Sequence, residues 1–300
     1  MKLNFPLFII LTSLCVMTIP ASSQTSSGSL RILMIGAHPD DCDIRSGGTA
    51  ALFAQMGHQV KFLSLTNGDA GHMEMGGGAL ARRRTAESHE SAKRLGIAEY
   101  EVMDNHDGEL MPTLENRKDI IRKIREWKAD VVISHRTNDY HPDHRYTGVL
   151  VQDAAFMVGV PNVAADTPPL SKNPVFLYFE DRFQKPNPFS PDITVDITPV
   201  IDKKINALDA HVSQFYEWLP WISNYDGIVP TGKEARKEWL REQRAKPIDP
   251  VARARLTEWY PEKERTQAHH IESFEICEYG SQPDRDEILK LFPMLPGTDQ

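Results

Sequence analysis

Short apolar runs alternate with amphipathic stretches from about residue 29 to residue 159. The runs 31–37, 59–65, 100–103 and 130–134, with 175–179 just beyond, are rich in Val, Ile and Leu, which predicts strands buried from two sides. Residues 48–56, 79–95, 114–127 and 146–157 instead carry apolar positions at helical spacing. A β-α-β-α order of this kind predicts an α/β fold: a mostly parallel, doubly wound, Rossmann-like sheet with helices on both faces, since right-handed crossovers leave few other arrangements. Seven of the 21 prolines then crowd between Pro161 and Pro191 and break the alternation around one strand. A strand over 193–197 and a helix over 200–214 follow. Residues 218–269 read as a charged elaboration, helical over 233–244, with Trp218, Trp221, Trp239 and Trp259. Packing against the core is the expected role of those rings, although aromatic faces also stack on sugars.

Ahead of this pattern lies a separate island of composition. Lys2, an apolar run from Phe5 to Ile19 and the small-residue stretch Pro20-Ala21-Ser22-Ser23 have the layout of a signal peptide. The expected organisation is a leader over residues 1–23 and one domain over 24–300, with a core at about 29–215 and a C-terminal elaboration at about 216–300. Export to the periplasm or cell exterior follows, with no stable membrane insertion once the leader is removed. Lys and Arg number 34 against 42 Asp and Glu, a net charge of −8, so a nucleic-acid partner is not expected. Cys42 and Cys277, the cysteines left after the leader, are expected as two separate buried thiols.

The candidate chemistry sits where two strands end. The first runs into Ala37-His38-Pro39-Asp40-Asp41, with Gly47-Gly48-Thr49 after it; the fourth ends near His135 and leads to Asp139-Tyr140-His141-Pro142-Asp143-His144. A dinucleotide-binding protein places a glycine-rich phosphate loop after its first strand, and here a histidine and two carboxylates stand instead. In strand order 3-2-1-4 both turns open on one crevice. His38, Asp41 and His144 then form a two-His, one-carboxylate face for a divalent ion with open positions, the mark of a catalytic rather than a structural site. Asp40 is placed to act as general base toward a metal-activated water. His141 is placed to stabilise an oxyanion or protonate a departing amine, with Asp143 as its orienting carboxylate and Tyr140 a possible donor near the substrate. His211, on an amphipathic helix, reads as structural.

These elements resemble the PIG-L (LmbE-like) metal-dependent de-N-acetylases. The resemblance rests on Ala37-His38-Pro39-Asp40-Asp41 with Gly47-Gly48-Thr49, on Thr66-Asn67-Gly68-Asp69-Ala70-Gly71, on Arg84 and Glu87 before Leu95-Gly96, and on His141-Pro142-Asp143-His144. It implies one zinc per chain, or iron(II), held by His38, Asp41 and His144, with Asp40 as base, His141 as its acid or electrostatic partner and Arg84 as a substrate-side contact. It also implies removal of acetyl groups from N-acetylglucosamine-type sugars or glycoconjugates. Arg45 departs from the family pattern by bringing a charge to the pocket rim. Two other readings stand beside this one: a metal-dependent esterase or amidase on a non-sugar substrate, and a non-catalytic glycan-binding protein using the Trp-rich segment.

Overall fold

A computed structural model describes Met1, residues 28–244 and residues 247–298. The expected leader over residues 1–23 falls, Met1 apart, outside the described residues. Among the described residues seven strands form one sheet in the order β3-β2-β1-β4-β5-β7-β6. β1 (Arg31–Gly36), β2 (Gln59–Thr66), β3 (Glu99–Asn105), β4 (Val131–Ser134) and β5 (Val175–Phe179) are parallel. Among the described residues β6 (Ile193–Asp196) pairs only with β7 (Ile271–Gly280), which runs antiparallel to it and to β5. The doubly wound, mostly parallel architecture expected from the alternation is the one observed.

Strand pleating divides the core in two. Ile32, Met34, Val60, Phe62, Val131 and Ile133 point into one cluster, while Leu33, Ile35, Leu63, Leu65 and Val132 point into the other. Successive side chains therefore both meet apolar partners, which is why these strands lack a polar alternate position. α1 (Asp41–Gln55) and α2 (Gly77–Leu95) cover the first face through Phe53 and Leu95; α3 (Leu114–Trp127) and α4 (Pro142–Met157) cover the second through Ile121 and Leu150. α5 (Ile201–Leu208) leads into a π-helical turn over Ser213–Trp218, and α6 (Leu219–Ile222), α7 (Lys233–Arg244), α8 (Pro250–Trp259), α9 (Glu262–Arg265) and α10 (Arg285–Leu291) follow. Among the described residues no helix is long and apolar enough to cross a membrane.

Four elements differ from the reading of the pattern. α1 starts at Asp41 and α4 at Pro142, several residues before the apolar periodicity, because the motif residues themselves make the first turns. Pro142 supplies a preset φ at the first helical position, and His141 Nδ1 accepts the Asp143 N–H as an N-cap. The helix expected over 200–214 breaks after Leu208. β7 was absent from the expected elements; its buried Glu272 and Ser273 conceal a strand that the sheet closes over. Glu272 accepts the N–H groups of Gly48 and Thr49 and pairs with Lys204 Nζ at 2.7 Å, so β7 also anchors α1.

Trp259 is buried and its Nε1 donates to the Asp192 carbonyl, and Trp239 packs near Tyr216 and Tyr225, in keeping with a packing role. Trp218 and Trp221 stack on each other at 5.4 Å, with Trp221 exposed. Cys42 and Cys277 are both buried and unpaired.

α4 crosses the end of β4 at very short range. A Cβ on Gly148 would stand 2.8 Å from the carbonyl oxygens of both His135 and Arg136, and backbone cannot swing aside. Gly148→Ala is expected to lower the unfolding free energy by about 1–3 kcal/mol in urea titration; an unchanged midpoint would show that α4 has slack.

Candidate metal centre and its surroundings

β1 and β4 lie side by side, Ile35 opposite Ser134, so the turns that follow them share the carboxyl edge of the sheet. Two ring nitrogens and one carboxylate converge there. His38 Nδ1 lies 3.2 Å from His144 Nε2 and 3.5 Å from Asp41 Oδ2, and His144 Nε2 lies 3.4 Å from Asp41 Oδ1. Ligands about 2.0–2.1 Å from a tetrahedral zinc stand about 3.3 Å apart, so the spacing fits a divalent ion. All three side chains are buried. Asp41 Oδ2 is held from behind by the main-chain N–H groups of Ala37 at 2.9 Å and His38 at 2.8 Å.

Other groups orient the ligands. Asp139 Oδ1 lies 3.1 Å from His144 Nδ1. His38 Nε2 faces Asp107 Oδ1 at 3.1 Å and Asp143 Oδ2 at 3.3 Å. Asp143 is itself fixed by the N–H groups of Gly108 at 2.7 Å and Leu110 at 3.3 Å. Its carboxylate thus faces His38, a ligand, and not His141, for which the sequence suggested it as orienting carboxylate. The His135 ring stacks on His144 at 4.3 Å and its Nε2 is 3.3 Å from Asp41 Oδ2. Asp107, Asp139 and His135 were not singled out as site residues from sequence. The first follows β3 and the last follows β4, so position after a strand of this sheet was the available signal.

The electrostatics favour a cation at the point of convergence. Burial works against a charge on His38, but the carboxylates of Asp107, Asp143 and Asp41 outweigh it and hold the imidazole well above its ordinary range. Burial likewise opposes ionisation of Asp41, yet His144 and His135 pull it well below the usual carboxylate range. Asp107, Asp143 and Asp139 are lowered in spite of their burial, the first two by His38 and the third by His144. His135 goes the other way: burial and the neighbouring His144 push it down to about 4. A centre that draws a proton onto His38 and off its carboxylates is one whose charge balance a divalent ion completes.

Asp40 and His141 flank this centre. Asp40 is buried, with Oδ1 3.2 Å from Arg84 Nη2. Arg84 is 2% exposed; its Nη1 donates to the Gly68 carbonyl at 3.1 Å and lies 3.6 Å from Asp107 Oδ2. The guanidinium expected at the substrate is therefore packed beneath the two carboxylates. Gly68 makes room for it: φ is +67° there, and a Cβ would fall 2.4 Å from Arg84 Nη1. His141 is half-buried, its ring 4.6 Å from that of His38, and burial with the charges of His38 and His144 lowers its pKa. Tyr140 is 70% exposed, with its ring 5.7 Å from both His141 and His144. Glu87 accepts the Ser213 N–H and hydroxyl, tying α2 to the π-helical turn. A cleft of about 720 Å³ opens from Asp41, His144 and Tyr140 toward the C-terminal third of the chain.

The family model for PIG-L, GlcNAc-PI de-N-acetylase, matches residues 33–155. Diacetylchitobiose deacetylase of Thermococcus kodakarensis is 36% identical over 207 residues, 64% of this chain and 74% of that protein. The chain belongs to the PIG-L family. N,N'-diacetylchitobiose deacetylase from Pyrococcus horikoshii, solved with its inhibitor MPG, has 27% identity and a TM-score of 0.61 over 85% of this chain and 88% of its own. A 4-oxalmesaconate hydratase of Pseudomonas putida is 28% identical over 201 residues, 62% of this chain and 74% of that protein. PIG-L membership makes the protein an enzyme of the metal-dependent N-deacetylase class, hydrolases of an amide C–N bond, and sets aside a purely glycan-binding role.

Two outcomes are expected. His144→Ala should lower bound divalent metal from about one per chain to near zero in plasma-emission analysis, and Asp139→Asn should weaken metal affinity about 10–100-fold. Undiminished metal in His144→Ala would remove it from the ligand set. The second concerns His211, whose Nε2 lies 3.2 Å from Asp43 Oδ2 with both residues fully buried. Burial opposes a charge on His211, but Asp43 raises its pKa. The stabilisation is then complete below the unfolded value of about 6.5 and is lost as pH climbs through the folded one. In urea titrations His211→Gln should flatten the loss of stability above about pH 6.5; parallel curves for variant and parent would contradict a charged pair.

Proposed function

We propose that the protein removes the acetyl group from an N-acetylglucosamine-type sugar or glycoconjugate, that zinc is the ion held by His38, Asp41 and His144, and that the enzyme works outside the cytoplasm. The observation that carries the reading is the meeting of those three donors at tetrahedral spacing beside a buried, arginine-anchored Asp40. Likeness to two diacetylchitobiose deacetylases supports the choice of an acetamido sugar. The composition of residues 1–23 supports export.

When bound, the ion supplies Lewis acidity, which acidifies water and polarises an acyl carbonyl. Asp40, fixed by Arg84, takes the proton of the attacking water and returns it to the departing amine. His141 Nδ1 is occupied by the Asp143 N–H, so the neutral ring carries its proton on Nε2, from which it donates to the oxyanion of the tetrahedral adduct. Asp107 and Asp143 keep His38 oriented, and Asp139 does the same for His144. Collapse of the adduct yields acetate and a free amine. Similarity to a hydratase marks the competing reading, in which the same activation of water leads to addition across a double bond with no acetate formed.

With N,N'-diacetylchitobiose as substrate, the parent protein should release acetate, and Asp40→Asn should lose about 10²–10⁴-fold in kcat while keeping its metal. Full activity in the metal-loaded variant would remove Asp40 as base. No acetate from any acetamido sugar, alongside hydration of an unsaturated acid, would move the protein to the hydratase branch.

A further inference from the structure

We infer that the cleft beside the metal centre holds an anion-binding subsite formed by Arg244 and Arg45, and that the substrate is an acetamido sugar bearing a carboxylate or phosphate. The inference rests on the deacetylase reading above and specifies its substrate class.

Arg244 closes α7 and borders the same cleft as Asp41, His144, Tyr140 and Arg45. Its guanidinium carbon lies 4.6 Å over the Phe215 ring, which fixes the side chain from one side. Its Nε is buried and has no hydrogen-bond partner, and no carboxylate pairs with it, among the described residues. Burial pulls its pKa down, while the Asp40 carboxylate favours its charge and Arg45, which lines the same cleft, opposes it. Arg45 donates from Nη1 to the Glu180 main-chain carbonyl at 2.6 Å and forms no ion pair among the described residues.

Several acids along this cleft have other partners. Glu272 is taken up by Lys204 and the start of α1, Asp181 by Arg136 with oxygens at 2.7 Å, and Asp249 by the N–H groups of Val251 and Ala252. Asp41 belongs to the metal centre. A half-buried guanidinium whose Nε is buried without a partner is costly unless an anion joins it, and with the half-buried Arg45 on the same cleft it offers the fork of donors by which arginine holds carboxylate or phosphate. A neutral disaccharide would offer the Arg244 Nε no anionic partner.

The zinc-loaded full chain is tested with N,N'-diacetylchitobiose and with its aldonic acid, in which the reducing-end carbon is oxidised to a carboxylate. N-acetylglucosamine and its 1-phosphate make a second pair that reports whether phosphate serves. Calorimetry measures affinity, and acetate release is followed separately. At least one anionic sugar should bind on the order of tenfold more tightly than its neutral partner. That ratio should fall to about unity in Arg244→Ala and in Arg244→Met, whose stem still packs on Phe215, and should fall partway in Arg45→Ala. Equal affinity for charged and neutral sugars, or a preference that persists in both Arg244 variants through capture by zinc alone, would overturn the subsite. Acetate released from the neutral sugar with no preference for the acid leaves the deacetylase reading intact and rejects the inference. An Arg244-dependent preference without acetate from any sugar does the reverse.

Discussion

Concentrated negative charge at one edge of the sheet is the constraint around which the rest is arranged. Asp40, Asp41, Asp107, Asp139 and Asp143 come from three loops and meet with little solvent between them. Carboxylates so placed repel one another and are poorly hydrated, so each must be matched by a positive partner. Arg84 answers Asp40 and Asp107, three imidazoles answer others, and the remaining demand falls where His38, Asp41 and His144 converge. Backbone geometry enforces the meeting. Parallel pairing of β1 with β4 puts both turns on one side, and the close approach of α4 to residues 135 and 136 holds His144 against them.

Much of this arrangement is legible in the chain. Strands buried on two faces announce themselves as unbroken apolar runs, so β1, β2, β4 and β5 and the 3-2-1-4 order follow from periodicity and crossover handedness. His38, Asp41 and His144 are legible because each adjoins the end of a strand whose neighbour is already known. Less legible are roles defined across the fold. Asp107 and Asp139 have no pattern of their own; each acquires meaning only by facing an imidazole brought in from elsewhere. Arg84 sits in a helix where its burial depends on the cavity that Gly68 leaves. The same limit applies to β7, whose polar Glu272 and Ser273 are buried by partners in α1, α5 and β6 rather than by local context.

The division of labour within the chain follows from this. The strand ends up to residue 144 carry the metal centre and its proton-transfer groups, machinery that serves any reaction beginning with an activated water. A deacetylase and a hydratase both resemble this chain, which fits chemistry held in the shared part. Beyond Ile44 and Arg45 of α1, the walls of the cleft come mostly from later segments: the loop after β5, α5, Arg244, Pro247, Ile248, Asp249 and residues 269–272. Substrate choice is therefore free to change without disturbing the centre.

The placement of β7 also sets an order of assembly. β5 and β6 are synthesised well before residues 271–280, yet in the finished sheet they touch each other only through that strand. Until residues 271–280 have left the ribosome, β5 keeps a raw hydrogen-bonding edge and β6 has no partner among the described strands, the condition under which strands pair with the wrong molecule.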